Sequence, residues 1–391
     1  MKFIYKLLSL SLAIACLSGC SAANTEIASS SAATATVDPA TDSTEVPASN
    51  NVFTSAGDGL YVTTDSGIYE LQTVFPDSAN IFYTDANTKE RIFLCANPNC
   101  THADESCPSY IATPSAMFPP MLLRVGDQLL VVFTETTDSS NPHGMLMNMD
   151  GSNRRTVFEL ASNQYMQGGF CTSGNDLYFD LYEIDDSGNV TYQLWYVSFE
   201  NGTSEKVMDL GSDSDHYSLC DGVNNELCFN HLSSDGISYC MYNPQSKTIS
   251  DPFFVDSSVS GNSMIQDGYL FVLDEQASSV QRIRLSDKEQ ASASFTVKEG
   301  FGAPSMRYLF DGNLMITEAQ TTASDIPTDG SYGVCSYILD FGTRNCTEFT
   351  LQTPYNNRPV YVLTTIGDAC YVATDYKTYT PTSVSEDGTV S

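Results

Sequence analysis

The stretch Gly57-Asp58-Gly59-Leu60-Tyr61-Val62 joins a turn of glycine and aspartate directly to a short apolar strand, and this unit recurs along the chain. Six further copies have the same order of turn and strand: Gly126-Asp127-Gln128-Leu129-Leu130-Val131, Gly174-Asn175-Asp176-Leu177-Tyr178-Phe179, Asn224-Asn225-Glu226-Leu227-Cys228-Phe229, Asp267-Gly268-Tyr269-Leu270-Phe271-Val272, Asp311-Gly312-Asn313-Leu314-Met315-Ile316 and Gly367-Asp368-Ala369-Cys370-Tyr371-Val372. The fourth position of each copy falls at residues 60, 129, 177, 227, 270, 314 and 370. A repeat of roughly 40 to 50 residues with several short strands is typical of propeller blades.

The segments between the copies also have the pattern of strands. Short alternating runs such as Leu177–Tyr182 and Leu194–Phe199 are separated by turns such as Asn201-Gly202, and long amphipathic helical patterns are absent. The sequence therefore predicts an all-β fold, with seven copies indicating a seven-bladed β-propeller over residues 52–391. Two β-sandwiches in tandem are the alternative, but no linker interrupts the repeat.

The last predicted blade is short of sequence. Few residues follow Cys370, and those from Pro381 to Ser391 are polar, so we expect this blade to be incomplete and to lack its outer strands. Two explanations remain open at this stage. Either the segment near Val52-Phe53 helps to close the ring, or the chain is truncated.

The first twenty residues have the pattern of a bacterial lipoprotein signal peptide. Two lysines precede an apolar run from Leu7 to Leu17, and Leu17-Ser18-Gly19-Cys20 has the form of a lipobox. The run is too short to span a bilayer, which needs roughly 20 apolar residues. We expect cleavage after residue 19, lipidation of Cys20 and a disordered tether over residues 20–51, rich in Ser, Thr and Ala. The alternative is a plain secretory signal.

These features predict a protein held to the cell membrane by its N-terminal lipid, on the extracytoplasmic face. The chain has 17 Lys and Arg residues against 48 Asp and Glu, a net charge of −31, and loss of the leader removes two of the lysines. Nucleic-acid binding requires a basic surface, so this charge argues against a nucleic-acid partner. The sequence identifies no ligand or protein partner.

A loop over residues 95–110 has three cysteines and one histidine within thirteen residues. Cys95, Cys100, His102 and Cys107 have the spacing C-x4-C-x-H-x4-C, and four nitrogen and sulfur ligands suit tetrahedral zinc. A disulfide is the competing interpretation, because the expected location is oxidising, and free thiols are the third. We expect either zinc or a disulfide to fix the conformation of the loop.

Seven further cysteines follow this loop in the chain. Most fall on apolar strand positions, where a cysteine behaves as a small hydrophobic residue. Cys228 with Cys240, and Cys335 with Cys346, are predicted on neighbouring strands and are therefore candidate disulfide pairs, if their strand register allows it.

Motifs of the common enzyme classes are absent from the sequence. It contains no Gly-x-Ser-x-Gly elbow, His-Glu-x-x-His motif, P-loop or dinucleotide fingerprint, so no catalytic residue and no cofactor other than a structural zinc is predicted. The favoured hypothesis is a non-enzymatic propeller that binds a ligand or protein partner. The alternative is a glycan-active or other hydrolytic propeller that uses acidic residues at the central mouth.

The lipobox, the acidic tether, the Gly-Asp-x-Leu-Tyr repeats, the Asn148–Asn153 turn and the Cys/His loop together resemble a group of propeller-like surface lipoproteins of Firmicutes-type bacteria. The resemblance covers the body from about residue 51 to the end. No activity is established for that group, so the resemblance implies only the fold and the location.

Overall fold

The computed structural model describes residues 53–55, 59, 61–74, 78–113, 119–137, 140–233, 236–255, 262–309, 312–320, 334–349, 361–366 and 369–373. The predicted signal peptide (1–19) and the lipidated tether (20–51) lie outside these residues. Within the described ranges the regular secondary structure is all β, as predicted. No helical segment there has the length and hydrophobicity needed to cross a membrane.

Blades 1 and 2 are separate sheets. Blade 1 contains five strands: β2 (Tyr61–Thr64), β3 (Gly67–Val74), β4 (Ser78–Asp85), β5 (Arg91–Phe93) and β6 (Tyr110–Ala112), after the short β1 (Thr54–Ser55). Blade 2 contains four: β7 (Met121–Val125), β8 (Gln128–Phe133), β9 (His143–Asn148) and β10 (Arg155–Glu159). Neighbouring strands in both sheets are antiparallel.

Blades 3 and 4 share one continuous ten-stranded sheet that also includes β1. Blade 3 comprises β11 (Gln164–Ser173), β12 (Asp176–Ile184), β13 (Val190–Ser198) and β14 (Thr203–Ser212). Blade 4 comprises β15 (Asp215–Val223), β16 (Glu226–Ser233), β17 (Gly236–Asn243), β18 (Thr248–Ile249) and β19 (Phe253–Phe254). The two blades are joined because β14 pairs with β15 across a tight hairpin.

The remaining strands form three further sheets. Blade 5 comprises β20 (Asn262–Gln266), β21 (Tyr269–Asp274), β22 (Ser279–Arg284) and β23 (Gln290–Ser294). Blade 6 comprises β24 (Phe301–Tyr308), β25 (Asn313–Gln320), β26 (Val334–Asp340) and β27 (Asn345–Phe349). The described part of blade 7 comprises β28 (Tyr361–Ile366) and β29 (Ala369–Ala373); residues 374–391 lie outside the described ranges.

The first strands of successive blades lie side by side, and the described part of the last blade lies next to the first. Strands β2, β7, β11, β15, β20 and β24 pack side by side in chain order, and β28 contacts β2. Tandem sandwiches would not bring the first and last repeats together in this way, so the described strands form a β-propeller of seven blade units, as the repeat predicts. The turn of the fifth copy is a two-residue type I′ hairpin, because Asp267 and Gly268 have φ values of 52° and 77°.

Apolar side chains fill each space between successive blades. One buried cluster lies between blades 1 and 2, and similar clusters follow between blades 2 and 3, 3 and 4, 4 and 5, and 5 and 6. The second strands of blades 2 to 6 each contain an uninterrupted run of at least three apolar residues, because both faces of the strand are covered. In β8, for example, Leu129 to Val132 are all fully buried.

The N-terminal segment lies elsewhere than the sequence suggested. The prediction that the region of Val52-Phe53 helps to close the ring is wrong for the described residue, Phe53, because β1 pairs with β11 and the Phe53 amide donates to the Asn224 carbonyl at 2.6 Å. Phe53 is therefore wedged between blades 3 and 4. Its ring meets Tyr178 edge-on at 5.4 Å, and a Cβ on Gly222 would come within 2.5 Å of the Phe53 Cβ.

Neither candidate disulfide pair has a suitable register. Cys240 lies opposite Phe229 rather than Cys228, so Cys228 and Cys240 face opposite sides of blade 4 and belong to different clusters. Cys346 lies opposite Leu339, four residues along β26 from Cys335, which is about 13 Å at the rise of a strand. Side chains on opposite faces cannot be bridged, which excludes the first pair, and a disulfide needs Cα atoms within about 7 Å, which excludes the second, so both suggestions are wrong. Cys228 is fully buried and packs as a small apolar side chain.

We predict that Phe53→Ala destabilises the protein by about 3–5 kcal/mol, because it removes a 97% buried aromatic ring and leaves a cavity between two blades. Urea unfolding of the purified protein measures this difference. The matched control is Phe254→Ala, because the Phe254 side chain is 58% exposed and its removal should change stability by less than about 0.5 kcal/mol. Equal effects of the two substitutions would contradict the burial of Phe53 between blades 3 and 4.

Candidate functional site

The Cys/His loop projects from the outer edge of blade 1. Both β5 and β6 pair with β4, so residues 94–109 leave and rejoin the edge of a single strand. Two Asx turns shape the loop. The Asn97 side chain accepts from the Asn99 amide at 3.1 Å and its carbonyl accepts from the Cys100 amide, while Asp104 accepts from the amides of Ser106 and Cys107.

The four predicted ligands converge at this loop. One donor atom from each of Cys95, Cys100, His102 and Cys107 lies within 4.8 Å of all the others, and His102 Nδ1 is 3.2 Å from Cys107 Sγ. His102 reaches this position with a φ of 54°, in the left-handed region. In the part of the chain that the structure describes, these residues are the only His, Cys, Asp and Glu group close enough together to hold a metal ion.

Backbone and hydroxyl groups surround the sulfur atoms. The His102 amide donates to Cys100 Sγ and the Ser109 amide donates to Cys107 Sγ, each at 3.4 Å, and Ser109 Oγ lies 3.1 Å from Cys107 Sγ. Hydrogen bonds to sulfur favour the thiolate, the form that binds metals.

The electrostatics of the cluster distinguish its two inner thiols. Burial opposes ionisation of Cys107, but hydrogen bonds from Ser109, His102 and Cys100 outweigh it and lower the Cys107 pKa to about 6. For Cys100, the His102 amide acts to lower the pKa, but burial and the neighbouring Cys107 and Cys95 thiols raise it overall. One thiolate is therefore available near neutral pH. A metal ion would favour ionisation of the others.

The geometry of this loop suits a metal site. The three cysteines are free thiols, and the imidazole of His102 is part of the cluster. A disulfide would join two sulfur atoms and would leave the third thiol and His102 without a shared role. The Cys/His cluster can hold a metal ion, because its donor set and spacing suit a four-coordinate site.

Arg154 of blade 2 anchors the loop and was missed by the sequence analysis. Its half-buried guanidinium donates to the carbonyls of Tyr110 at 2.6 Å, Gly151 at 3.2 Å and Pro108. Gly151 permits this close approach, since a Cβ there would lie 2.3 Å from the Pro108 carbonyl oxygen. On the other side, His102 stacks on Phe93 at 4.1 Å and 10°. The charge of Arg154 next to the Asp150-Gly151 turn is visible in the sequence, but two of its three partners, Tyr110 and Pro108, lie more than forty residues away.

A second feature is a cleft between the first strands of blades 3 and 4. It has a volume of about 450 Å³, and it is lined by Met166, Gln167, Gly169, Asp180, Tyr182, Ser218 and Leu219. A β-bulge in β11 between Met166 and Phe170 opens it. Gln167 and Ser218 approach across the cleft, with Ser218 Oγ donating to Gln167 Oε1 at 3.3 Å.

Asp180 forms the polar wall of the cleft. Its carboxylate accepts from the Gly169 amide at 3.1 Å and from the Leu219 amide at 3.0 Å, so it connects the two blades. The side chain is 1% exposed, and burial raises the pKa of Asp180 to about 7 although the amide bonds act in the opposite direction. Gly169 is needed here because a Cβ would lie 2.3 Å from the Leu219 carbonyl oxygen.

Asp221 is a counterpart of Asp180 at the next blade junction. It is buried on β15 and accepts from the amides of Ile265 at 3.3 Å and Gly222 at 2.8 Å, but it does not line the cleft. The sequence analysis missed both aspartates. A signal was present for Asp180, which interrupts the apolar run Leu177-Tyr178-Phe179-Asp180-Leu181, because a charged residue in a fully buried strand needs a specific partner.

Comparison with known proteins assigns the chain to no family. No protein-family model matches the chain, and no curated protein sequence matches it. Similar solved structures include β-propeller-like proteins. An oligogalacturonate lyase in complex with manganese has a TM-score of 0.46 and 11% identity, covering 75% of this chain and 77% of that chain. An oligogalacturonate lyase from Vibrio parahaemolyticus has a TM-score of 0.46 and 10% identity, covering 76% of this chain and 79% of that chain. TolB from Acinetobacter baumannii has a TM-score of 0.43 and 9% identity, covering 72% of this chain and 62% of that chain. At this level of similarity the activities of those proteins carry no argument for this one.

Proposed function

We propose that this protein is a lipid-anchored, extracytoplasmic β-propeller that binds a ligand in the cleft between blades 3 and 4 and does no chemistry of its own. The observation that supports ligand binding is the cleft itself. Its volume of about 450 Å³ falls within the range of small-molecule sites, and a buried carboxylate forms part of its wall. It opens between two of the first strands, where a propeller gathers its blades around one axis.

The alternative hydrolytic function has less support. Glycoside hydrolysis uses two carboxyl groups on either side of the bond that is broken. The residues that line the cleft include one carboxylate, Asp180, and both of its oxygens accept hydrogen bonds from backbone amides. A carboxylate held in this way is suited to fixing a ligand in place and to joining two blades.

If a ligand binds in the cleft, a large side chain that fills the cleft should prevent binding. Saturation-transfer NMR on the purified protein, with sugars, amino acids and amines as probes, should show binding of at least one class. Ser218→Trp should abolish that signal, because a large side chain there would occupy the cleft. The matched control is Ser204→Trp on the exposed surface of β14. Absence of binding by every class, or equal binding by the two variants, would refute ligand binding in the cleft.

Lipid anchoring is supported by the Leu17-Ser18-Gly19-Cys20 motif after the apolar run. We predict that Cys20→Ala moves the protein from the membrane fraction to the soluble fraction and abolishes incorporation of radiolabelled palmitate, because the thiol that carries the lipid is lost. Cys16→Ala, four residues earlier in the same leader, is the control and should leave both readouts unchanged. A Cys20→Ala variant that stays in the membrane fraction would indicate another anchor.

The metal of the Cys/His cluster is proposed to be zinc with a structural role. Three thiolates and one imidazole are a common ligand set for structural zinc, and four protein ligands leave no open position for substrate. Such an ion would join the two ends of the loop, while Arg154 holds the same loop to blade 2. The oligogalacturonate lyase with manganese gives no support for either metal here.

We predict about one zinc per chain when the protein is purified without chelator or reducing agent, measured by atomic emission. Cys107→Ser should lose the zinc, whereas Cys346→Ser, a half-buried cysteine outside the cluster, should keep it. Arg154→Ala should weaken zinc binding roughly tenfold in a chelator competition, because it frees the loop. The exposed neighbour Arg155 is the control for that variant. Zinc-free protein whose loop thiols react only after reduction would instead establish a disulfide.

A further inference from the structure

The buried carboxylate of Asp180 has no cationic partner within the described residues. Its hydrogen bonds come from two backbone amides, which are neutral, and it takes part in none of the ion pairs found there. Burying a carboxylate away from water is unfavourable unless positive charge compensates it. Unlike a carboxylate sealed inside a core, this one borders a cleft that a ligand can enter.

The charge of the cleft determines whether it attracts a cationic or an anionic ligand. Among its seven lining residues, Asp180 is the single charged side chain, and no lysine or arginine is present to receive an anion. The chain as a whole has a net charge of −31. A cleft with negative charge in a strongly acidic protein concentrates cations and repels anions, and this effect extends beyond the contact distance.

An aromatic ring completes the wall. Tyr182 lines the cleft, and it belongs to a row of rings on the same sheet face, with Tyr165 at 5.1 Å and Tyr192 at 6.0 Å. The π electrons of a tyrosine ring attract an organic cation. Together with a carboxylate, such a ring resembles the surroundings in which proteins bind ammonium ions.

We infer that the cleft between blades 3 and 4 binds a small organic cation, whose ammonium group lies against the Asp180 carboxylate and the Tyr182 ring. This inference rests on the proposed function, because it assigns a chemical class to the ligand of the same cleft. The polar groups of Gln167 and Ser218, which also line the cleft, are placed to hydrogen-bond a hydroxyl or amide on the same ligand. Charge compensation for Asp180 supplies the selectivity over neutral molecules of equal shape.

The test compares choline with 3,3-dimethylbutan-1-ol, which has the same shape without the charge. Calorimetric titration of the purified full chain should show choline binding at least about tenfold more tightly than the alcohol, because only choline can pair with Asp180. Asp180→Asn should lower choline affinity about tenfold and leave affinity for the alcohol unchanged. Asp221→Asn is the matched control, since it alters the equivalent inter-blade carboxylate outside the cleft.

The outcomes test the cationic class of the ligand and ligand binding in the cleft separately. If choline and the alcohol bind equally, or if the sugars of the probe panel bind at the cleft and choline does not, the cationic class is wrong while ligand binding stands. If nothing binds, both are wrong. If the Asp180→Asn variant does not fold, the comparison of choline with the alcohol on the unmodified protein still tests the inference. Tyr182→Leu, which should also weaken choline binding, then replaces Asp180→Asn as the variant.

Discussion

Burial of each blade against its neighbours is the interaction on which the structure depends. A single four-stranded sheet has two apolar faces, and in a propeller only the adjoining blades can cover them. The described clusters follow this rule without a gap from blade 1 to blade 6, and the contact of β28 with β2 brings the two ends of the array together. The stability of any one blade is therefore inseparable from that of the blades beside it.

Polar connections reinforce the same junctions at specific points. Asp180 reaches from blade 3 to an amide of blade 4, and Asp221 reaches from blade 4 to an amide of blade 5. Phe53 adds an aromatic wedge at the junction of blades 3 and 4, where Gly222 leaves the space for it. The first strand of a blade is the edge strand of that blade, so some of its amides have no hydrogen-bond partner within it. A buried carboxylate can accept from such an amide without disrupting the strand pairing of the blade.

The candidate sites lie where the regular pattern is interrupted. A bulge in β11 displaces the strand and opens the cleft beside Asp180. On the outer edge of blade 1, the insertion between β5 and β6 brings together three thiols and an imidazole. The two features are on different blades and have different chemistry. One is a set of four nitrogen and sulfur donors, whereas the other is an open cleft with a single charged side chain in its lining.

The sequence by itself determined the all-β class, the repeat and its propeller architecture, because turn chemistry and apolar periodicity are local and are written into each copy. It also predicted that Cys95, Cys100, His102 and Cys107 lie together, since those residues are within thirteen positions of one another. Only the tertiary structure decided the position of Phe53, the registers that separate Cys228 from Cys240, and the meeting of Asp180 with Leu219. These depend on contacts between strands distant in the chain, and a shift of one residue in register moves a side chain to the opposite face of its sheet.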